Sequence, residues 1–264
     1  MVMACEHDPV LLMVAGSSYL PKQNHSKPLG EDAHFILQEA KSMGVADGVG
    51  GWSTRGIDAG EYSRELMHNV VEAIINRSTG GVGPKSVLEE AFSKTEAEGS
   101  STACILTLDG RTLRAANVGD SGFLVMRGGK IAYTSPTQHH RFNSPYQLGK
   151  TSRCDTPGVA EEIAVPVQTY DVIIAGTDGL FDNVFPEDIE DVVNRFLTED
   201  LNHPDLVAWA LAEVARHISL FQHVCTPFQA AACRTGLKYR GGKYDDVTVV
   251  IAYVVPAPVT TLLS

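Results

Sequence analysis

The sequence is short of cysteine, has no long apolar run and carries few basic side chains. It has five cysteines in 264 residues. The number is odd and no two stand as Cys-x-x-Cys, which argues against a zinc ribbon or a disulfide framework. They read as reduced thiols of an intracellular compartment. Cys104, inside the apolar run 103–108, reads as a small buried hydrophobe. No stretch approaches the roughly 18 apolar residues that span a bilayer, so no transmembrane segment is expected. The first residues show no basic, hydroxyl-rich leader. Lysine and arginine number 21 against 32 aspartates and glutamates, a net charge of -11. That argues against nucleic acid, which needs a concentrated basic surface, and permits acidic clusters that bind cations. There is no internal repeat and no low-complexity linker. With 44% hydrophobic residues, the chain can bury a core without disulfides. We expect one domain over residues 1–264, with a core of about 10–255, acting as a monomer.

Strand-like runs fall at 10–15, 34–37, 44–46, 102–108, 113–117, 123–126, 163–167, 172–175 and 247–255. Helical patterns lie between them. Asp58 with Glu61 makes a capping pair, and Tyr62, Leu66, Val70 and Ile74 form one apolar face. Pro84 opens a second helix, and later ones run over 186–197, 204–220 and 227–235. Strands come in consecutive blocks rather than strict βαβ alternation, which predicts an α+β fold with antiparallel sheets and helices outside. Segment 138–158 is polar and contains Pro145 and Pro157, so it is expected to be a surface loop or flap. Gly128-Gly129 predicts a hairpin turn. Trp52 and Trp209 are expected to pack in the core or at its rim.

Four aspartate-bearing segments stand at strand ends: Gly30-Glu31-Asp32-Ala33, Ala46-Asp47-Gly48-Val49-Gly50-Gly51-Trp52, Gly176-Thr177-Asp178-Gly179-Leu180-Phe181-Asp182, and Tyr244-Asp245-Asp246-Val247-Thr248. A carboxylate at a strand end is held by a rigid element yet projects past the sheet. Mg2+ and Mn2+ take oxygen ligands in octahedral geometry. A glycine after aspartate lets its carbonyl approach the same ion. Crowded carboxylates repel one another unless cations neutralise them. For any one of these segments, a plain Asp-Gly turn is the commoner reading. Residue spacing alone leaves turn and metal site both open.

Six motifs in order then carry a resemblance: Glu31-Asp32, Asp47 to Gly51, Gly99 to Ala103, Asn117 to Ser121, Thr177 to Asp182 and Asp245 to Thr248. Together they resemble the metal-dependent Ser/Thr protein phosphatases of the PPM, or type 2C, family over about residues 30–253. Asp-Gly-Val-Gly-Gly-Trp and Phe142-Asn143-Ser144-Pro145-Tyr146-Gln147-Leu148 are similar to its small organellar branch. The resemblance implies a four-layer α/β/β/α sandwich with two central antiparallel sheets. It also implies two Mg2+ or Mn2+ ions. Asp47 would bridge them, and the Gly48 carbonyl would bind one. Asp178 and Asp245 would complete one shell, with Asp32 and Glu31 serving the other partly through water. Asp120 and Asp178 resemble a weaker third site, with a simple turn as the alternative for Asp120. The implied reaction is hydrolysis of phosphoserine and phosphothreonine on proteins by a hydroxide between the ions. A mitochondrial or chloroplast location follows from the branch, with the cytoplasm as the alternative.

Two positions depart from the family pattern. Relatives place His after Asp-Gly as a general acid, where this chain has Val49. His140 is the candidate replacement, with a solvated loop His139–His140 pair as the alternative. Many relatives have Arg five residues before the first ligand Asp, where this chain has Lys27. Lysine can attract phosphate but lacks the bidentate fork, and an ordinary surface lysine is the alternative. Asp246 stands where relatives have Asn and is expected to hold neighbours by hydrogen bonds. Two other readings stay open: a catalytically weak phosphoprotein- or metal-binding module, and an esterase of small phosphate compounds.

Overall fold

The computed structural model describes residues 9–24, 28–77, 83–197 and 203–258. Two five-stranded antiparallel sheets lie face to face. In one, the strand order is Leu11–Leu20, Val247–Pro256, Val172–Gly176, Gly122–Arg127, Lys130–Thr134. In the other it is Glu161–Pro166, Thr112–Val118, Ala103–Asp109, Ser42–Asp47, Asp32–Leu37. Val247–Pro256 is apolar nearly throughout because it is covered on both faces. Glu161–Pro166, at an edge, alternates, with Ile163 and Val165 turned inward.

Three apolar layers follow. Met43, Val45, Leu106, Phe123, Ile173 and Val250 fill the space between the sheets. Tyr62, Leu66 and Val70 of α1 (Ala59–Ile75) and Leu88 of α2 (Pro84–Lys94) pack on Ala46 and Ile105 of the second sheet. The opposite face of the first sheet is covered by α3 (Asp178–Phe181), α4 (Pro186–Phe196) and α5 (Pro204–Ser219). The layering is therefore α/β/β/α with the antiparallel sheets central, as expected. A short α6 (Pro227–Arg234) follows. Proline starts α2, α4, α5 and α6, where its missing N–H costs nothing. Asp58 caps α1 by accepting from the Gly60 amide at 3.0 Å.

Three expectations change. Segment 138–158 is only partly a surface loop. His139–Arg141 pairs with Ser144–Pro145, and Leu148–Gly149 pairs with Ser100–Ser101, burying Leu148 completely. Lys130–Thr134 is an unforeseen edge strand, joined through Gly128 and Gly129, both with positive φ (57° and 79°). Trp209 is 50% exposed on α5 rather than packed. Among the described residues, no helix is long and apolar enough to cross a membrane. The four described cysteines are unpaired, Cys104 being fully buried.

Candidate metal centre

The strand register builds the site. Asp32 opens one strand, Asp47 closes the next, and the antiparallel ladder sets them directly opposite. Two acids facing each other destabilise a ladder unless something neutralises them. Asp178 begins α3 just past the Val172–Gly176 strand, and Asp245 lies just before the Val247–Pro256 strand that pairs with it. Both therefore emerge at the same end of the first sheet. One carboxylate ties the sheets together there. Oδ2 of Asp32 accepts from the Thr177 hydroxyl at 2.8 Å, just past the end of a strand of the opposite sheet, and from the Thr248 hydroxyl at 2.7 Å, within that sheet. Gly179 permits this closure, because a Cβ there would press on the backbone of Asp246 and Val247.

The electrostatics record the crowding. Burial, then the charges of Asp178, Asp32, Asp245 and Asp120, hold the Asp47 carboxyl well above the usual range. Burial and the charge of Asp246 do the same for Asp32, although its two hydroxyl donors oppose them. Asp182 is pushed up to about 7 by burial, with Lys243 pulling it down and Asp178 pushing it up. Asp245 rises to about 6 from burial and the charge of Asp178.

Among these acids stands a cation that the motif reading missed. The Lys243 ammonium bonds Oδ2 of Asp178, lies 2.8 Å from Asp182 and 3.7 Å from Asp245. Burial alone would lower its pKa, but the charges of those three acids outweigh burial and hold it well above the ordinary lysine value. Its signal in the sequence was faint: a lysine two positions before Asp245, after two glycines. Asp182 was part of a quoted motif, but nothing in the spacing showed that it shares this ammonium.

The remaining residues fall as follows. Glu31 is tied through its backbone: its amide donates to Asp246 (2.9 Å) and its carbonyl accepts from Gly48 (3.0 Å), which keeps the Gly48 turn beside it. Asp246 also accepts from the Lys22 amide at 2.5 Å, so it holds the segment leading to Glu31, as expected of it. Asp120 is nearly buried, and its Oδ2 meets Nε2 of His139 at 3.1 Å. His140 does not join the cluster. It faces Asp155 at 3.0 Å and stacks on Tyr146, because alternation along the His139–Arg141 strand turns neighbouring side chains to opposite faces. His139, not His140, is the imidazole at the acidic site. Lys27 lies outside the described residues.

These residues fit divalent cations. Buried oxygens of Asp32, Asp120 and Asp178 have no hydrogen-bond partner. Such orphans are costly and suit a cation as their partner. Hard oxygen donors of this kind suit Mg2+ or Mn2+. Among the described residues, no three acidic, imidazole or thiol side chains are already arranged to hold an ion. The acids are instead drawn onto Lys243 and the threonine hydroxyls. A cavity of about 340 Å³ opens beside the cluster, lined by Asp120, His139, Asp182, Phe142, Phe228 and Arg234.

No family model matches the chain. Probable protein phosphatase 2C 55 of Arabidopsis thaliana is 47% identical over 244 residues, 92% of this chain and 52% of its own length. The PTC7 homolog fig of Drosophila mojavensis is 39% identical over 247 residues, 85% of this chain and 78% of its own. The chain spans about half the length of the first relatives it matches. The photosystem II phosphatase PBCP superposes with a TM-score of 0.85 at 31% identity, covering 91% of this chain and 98% of that one. The catalytic domain of the phosphatase PstP, solved with two manganese ions, shares the fold at a TM-score of 0.64 and 18% identity. The shared sandwich fold, and 39% identity to a relative matched over 78% of its length, place the chain in the protein phosphatase 2C, or PPM, family.

Proposed function

We propose that the protein hydrolyses phosphoserine and phosphothreonine esters on proteins with the help of two divalent ions. The observation that carries this is the cluster of crowded aspartates, in which Asp32, Asp120 and Asp178 each keep a buried oxygen without a partner while Asp178 and Asp182 share one ammonium. Asp47, Asp178 and Asp245 would hold one ion. Asp47, the Gly48 carbonyl, Asp32 and Glu31 would hold the second, with Asp120 available to a weaker third. When bound, Mg2+ or Mn2+ supplies charge neutralisation for phosphate and an activated water. The chain's own residues do the rest. Thr177 and Thr248 fix the Asp32 carboxylate through Oδ2, leaving Oδ1 free. Asp246 holds the Glu31 segment in register.

In this reading His139, 3.1 Å from Asp120 at the acidic site, returns a proton to the leaving serine or threonine oxygen. Its hydrogen bond to Asp120 raises its pKa, with burial opposing, so it is protonated over a wider range near neutrality. It takes the role considered for His140. Lys22, 3.6 Å from Asp245, is the described cation at the edge of the cluster, and Lys27 is proposed to join it in drawing phosphate in. A plastid or mitochondrial location is part of the proposal, supported by a neighbour named for photosystem II.

Phosphopeptide turnover tests the reading. We expect activity with Mn2+, none in EDTA, and none for Asp178→Asn. Metal-independent turnover, or a strong preference for sugar or nucleotide phosphates over phosphopeptides, would refute it.

A further inference from the structure

Lys243 is more than a neighbour of the acidic cluster. Its backbone is built into place: the Asn183 side chain accepts from the Lys243 amide and donates to its carbonyl, both at 2.9 Å. Asn183 is itself buried, immediately after Asp182. Gly241 and Gly242 allow this approach. Gly241 has a φ of 82°, and a Cβ on either glycine would strike the backbone of residues 218–222. The segment bearing the lysine is thus locked to the element bearing Asp178 and Asp182, and only the side chain is left free to swing. That side chain is 16% exposed, and its ammonium lies 5.2 Å from the Phe228 ring centre.

The ammonium bonds Oδ2 of Asp178 and stands 3.7 Å from Asp245, two of the acids assigned to one ion. An ammonium held on these two carboxylates repels a divalent cation drawn to the same pair, even where the cation takes the other oxygen of Asp178. At short range and low dielectric their repulsion is strong. A lysine stem is flexible enough to leave, whereas the aspartates belong to strand and helix ends. We propose that Lys243 is an internal counter-cation that holds the metal centre in the metal-free protein and is displaced when the first ion binds.

Loading is then an exchange of one cation for another. Lys243 offsets the crowded acids whenever no ion is bound. It also weakens metal affinity, because each ion must first break the lysine contacts. The inference rests on the metal-dependent reading above, and its test separates the two.

Mn2+ binding is measured calorimetrically on the full chain at mildly alkaline pH, for wild type and Lys243→Met. The methionine keeps an apolar stem of similar reach without the charge. We expect the variant to bind at least about tenfold more tightly, a gain of about 1.4 kcal/mol. We also expect it to melt lower in EDTA and to gain more from Mn2+ than wild type does. Equal or weaker binding by the variant overturns the counter-cation while leaving the metal reading intact. Failure of wild type to bind Mn2+ overturns both. Should the variant not fold, amine acylation of wild type followed by mass spectrometry decides the matter. Lys243 should be protected in EDTA and labelled several-fold faster in Mn2+. Labelling that is unchanged or slower in Mn2+ overturns the proposal.

Discussion

Replacing Asp47 by Asn should stabilise the metal-free protein and destabilise the metal-loaded one. The change is nearly isosteric and removes one charge. Among the described residues, nothing donates a hydrogen bond to this carboxylate, so no attractive contact is lost. What surrounds it is burial and the charges of Asp178, Asp32, Asp245 and Asp120, all unfavourable to its ionised form. Removing one buried like charge belongs with the larger single-substitution effects, so about 2–3 kcal/mol is expected for Asp47→Asn. For a chain this long that is a rise in Tm on the order of 4–12 °C in EDTA. In saturating Mn2+ the order should reverse. Wild type should gain about 2.7 kcal/mol at a hundredfold excess over Kd, and the variant, lacking the carboxylate proposed to serve both ions, should gain little. Thermal melts by circular dichroism in EDTA and in Mn2+ read both halves. A variant that melts below wild type in EDTA would show that Asp47 is held by attraction, and the like-charge reasoning would be wrong.

Other outcomes follow from the same geometry. The raised carboxyls make the metal-free fold bind protons more tightly than the unfolded chain. Its stability in EDTA should therefore be full below about pH 4 and fall as pH rises through about 6 and 7, where Asp245 and Asp182 ionise. Saturating Mn2+, which needs the ionised forms, should flatten or reverse that slope in melts taken across the range. His139→Ala should cut phosphopeptide turnover on the order of a hundredfold, and less with p-nitrophenyl phosphate, whose leaving group needs no proton. His140→Ala, bonded to Asp155 away from the acids, should stay near wild type, and the opposite ranking would move the general acid back to His140. Asp246→Ala leaves the Lys22 and Glu31 amides without their acceptor and should cost about 2–4 kcal/mol in urea denaturation, with Asp246→Asn costing less.

Much of the architecture was legible because it is written in local periods. Nine strand runs and the starts of α1, α2, α4, α5 and α6 follow from apolar runs, i+4 apolar spacing and proline at N1, while the single turn of α3 was not expected. Gly128-Gly129 marked its hairpin, since only glycine takes positive φ twice in succession at no cost. The misses are also physical. Lys130–Thr134 is half exposed and carries no strong apolar period. The flap strands are two or three residues long, too short to show one. Trp209 looked like packing because tryptophan usually packs, yet α5 turns it outward.

The sequence by itself determined which residues could do chemistry here: aspartates at the ends of apolar strands, with glycines where the backbone must approach closely. Only the tertiary structure decided which of them meet and what neutralises them. Thr248 reaches Asp32 across 216 residues, and Lys243 reaches Asp178 across 65. Strand order and register set such meetings, and a local pattern carries no information about either. The choice of His139 over His140 is of the same kind. The two residues are chemically identical and adjacent in the chain, and only the face of a three-residue strand distinguishes them.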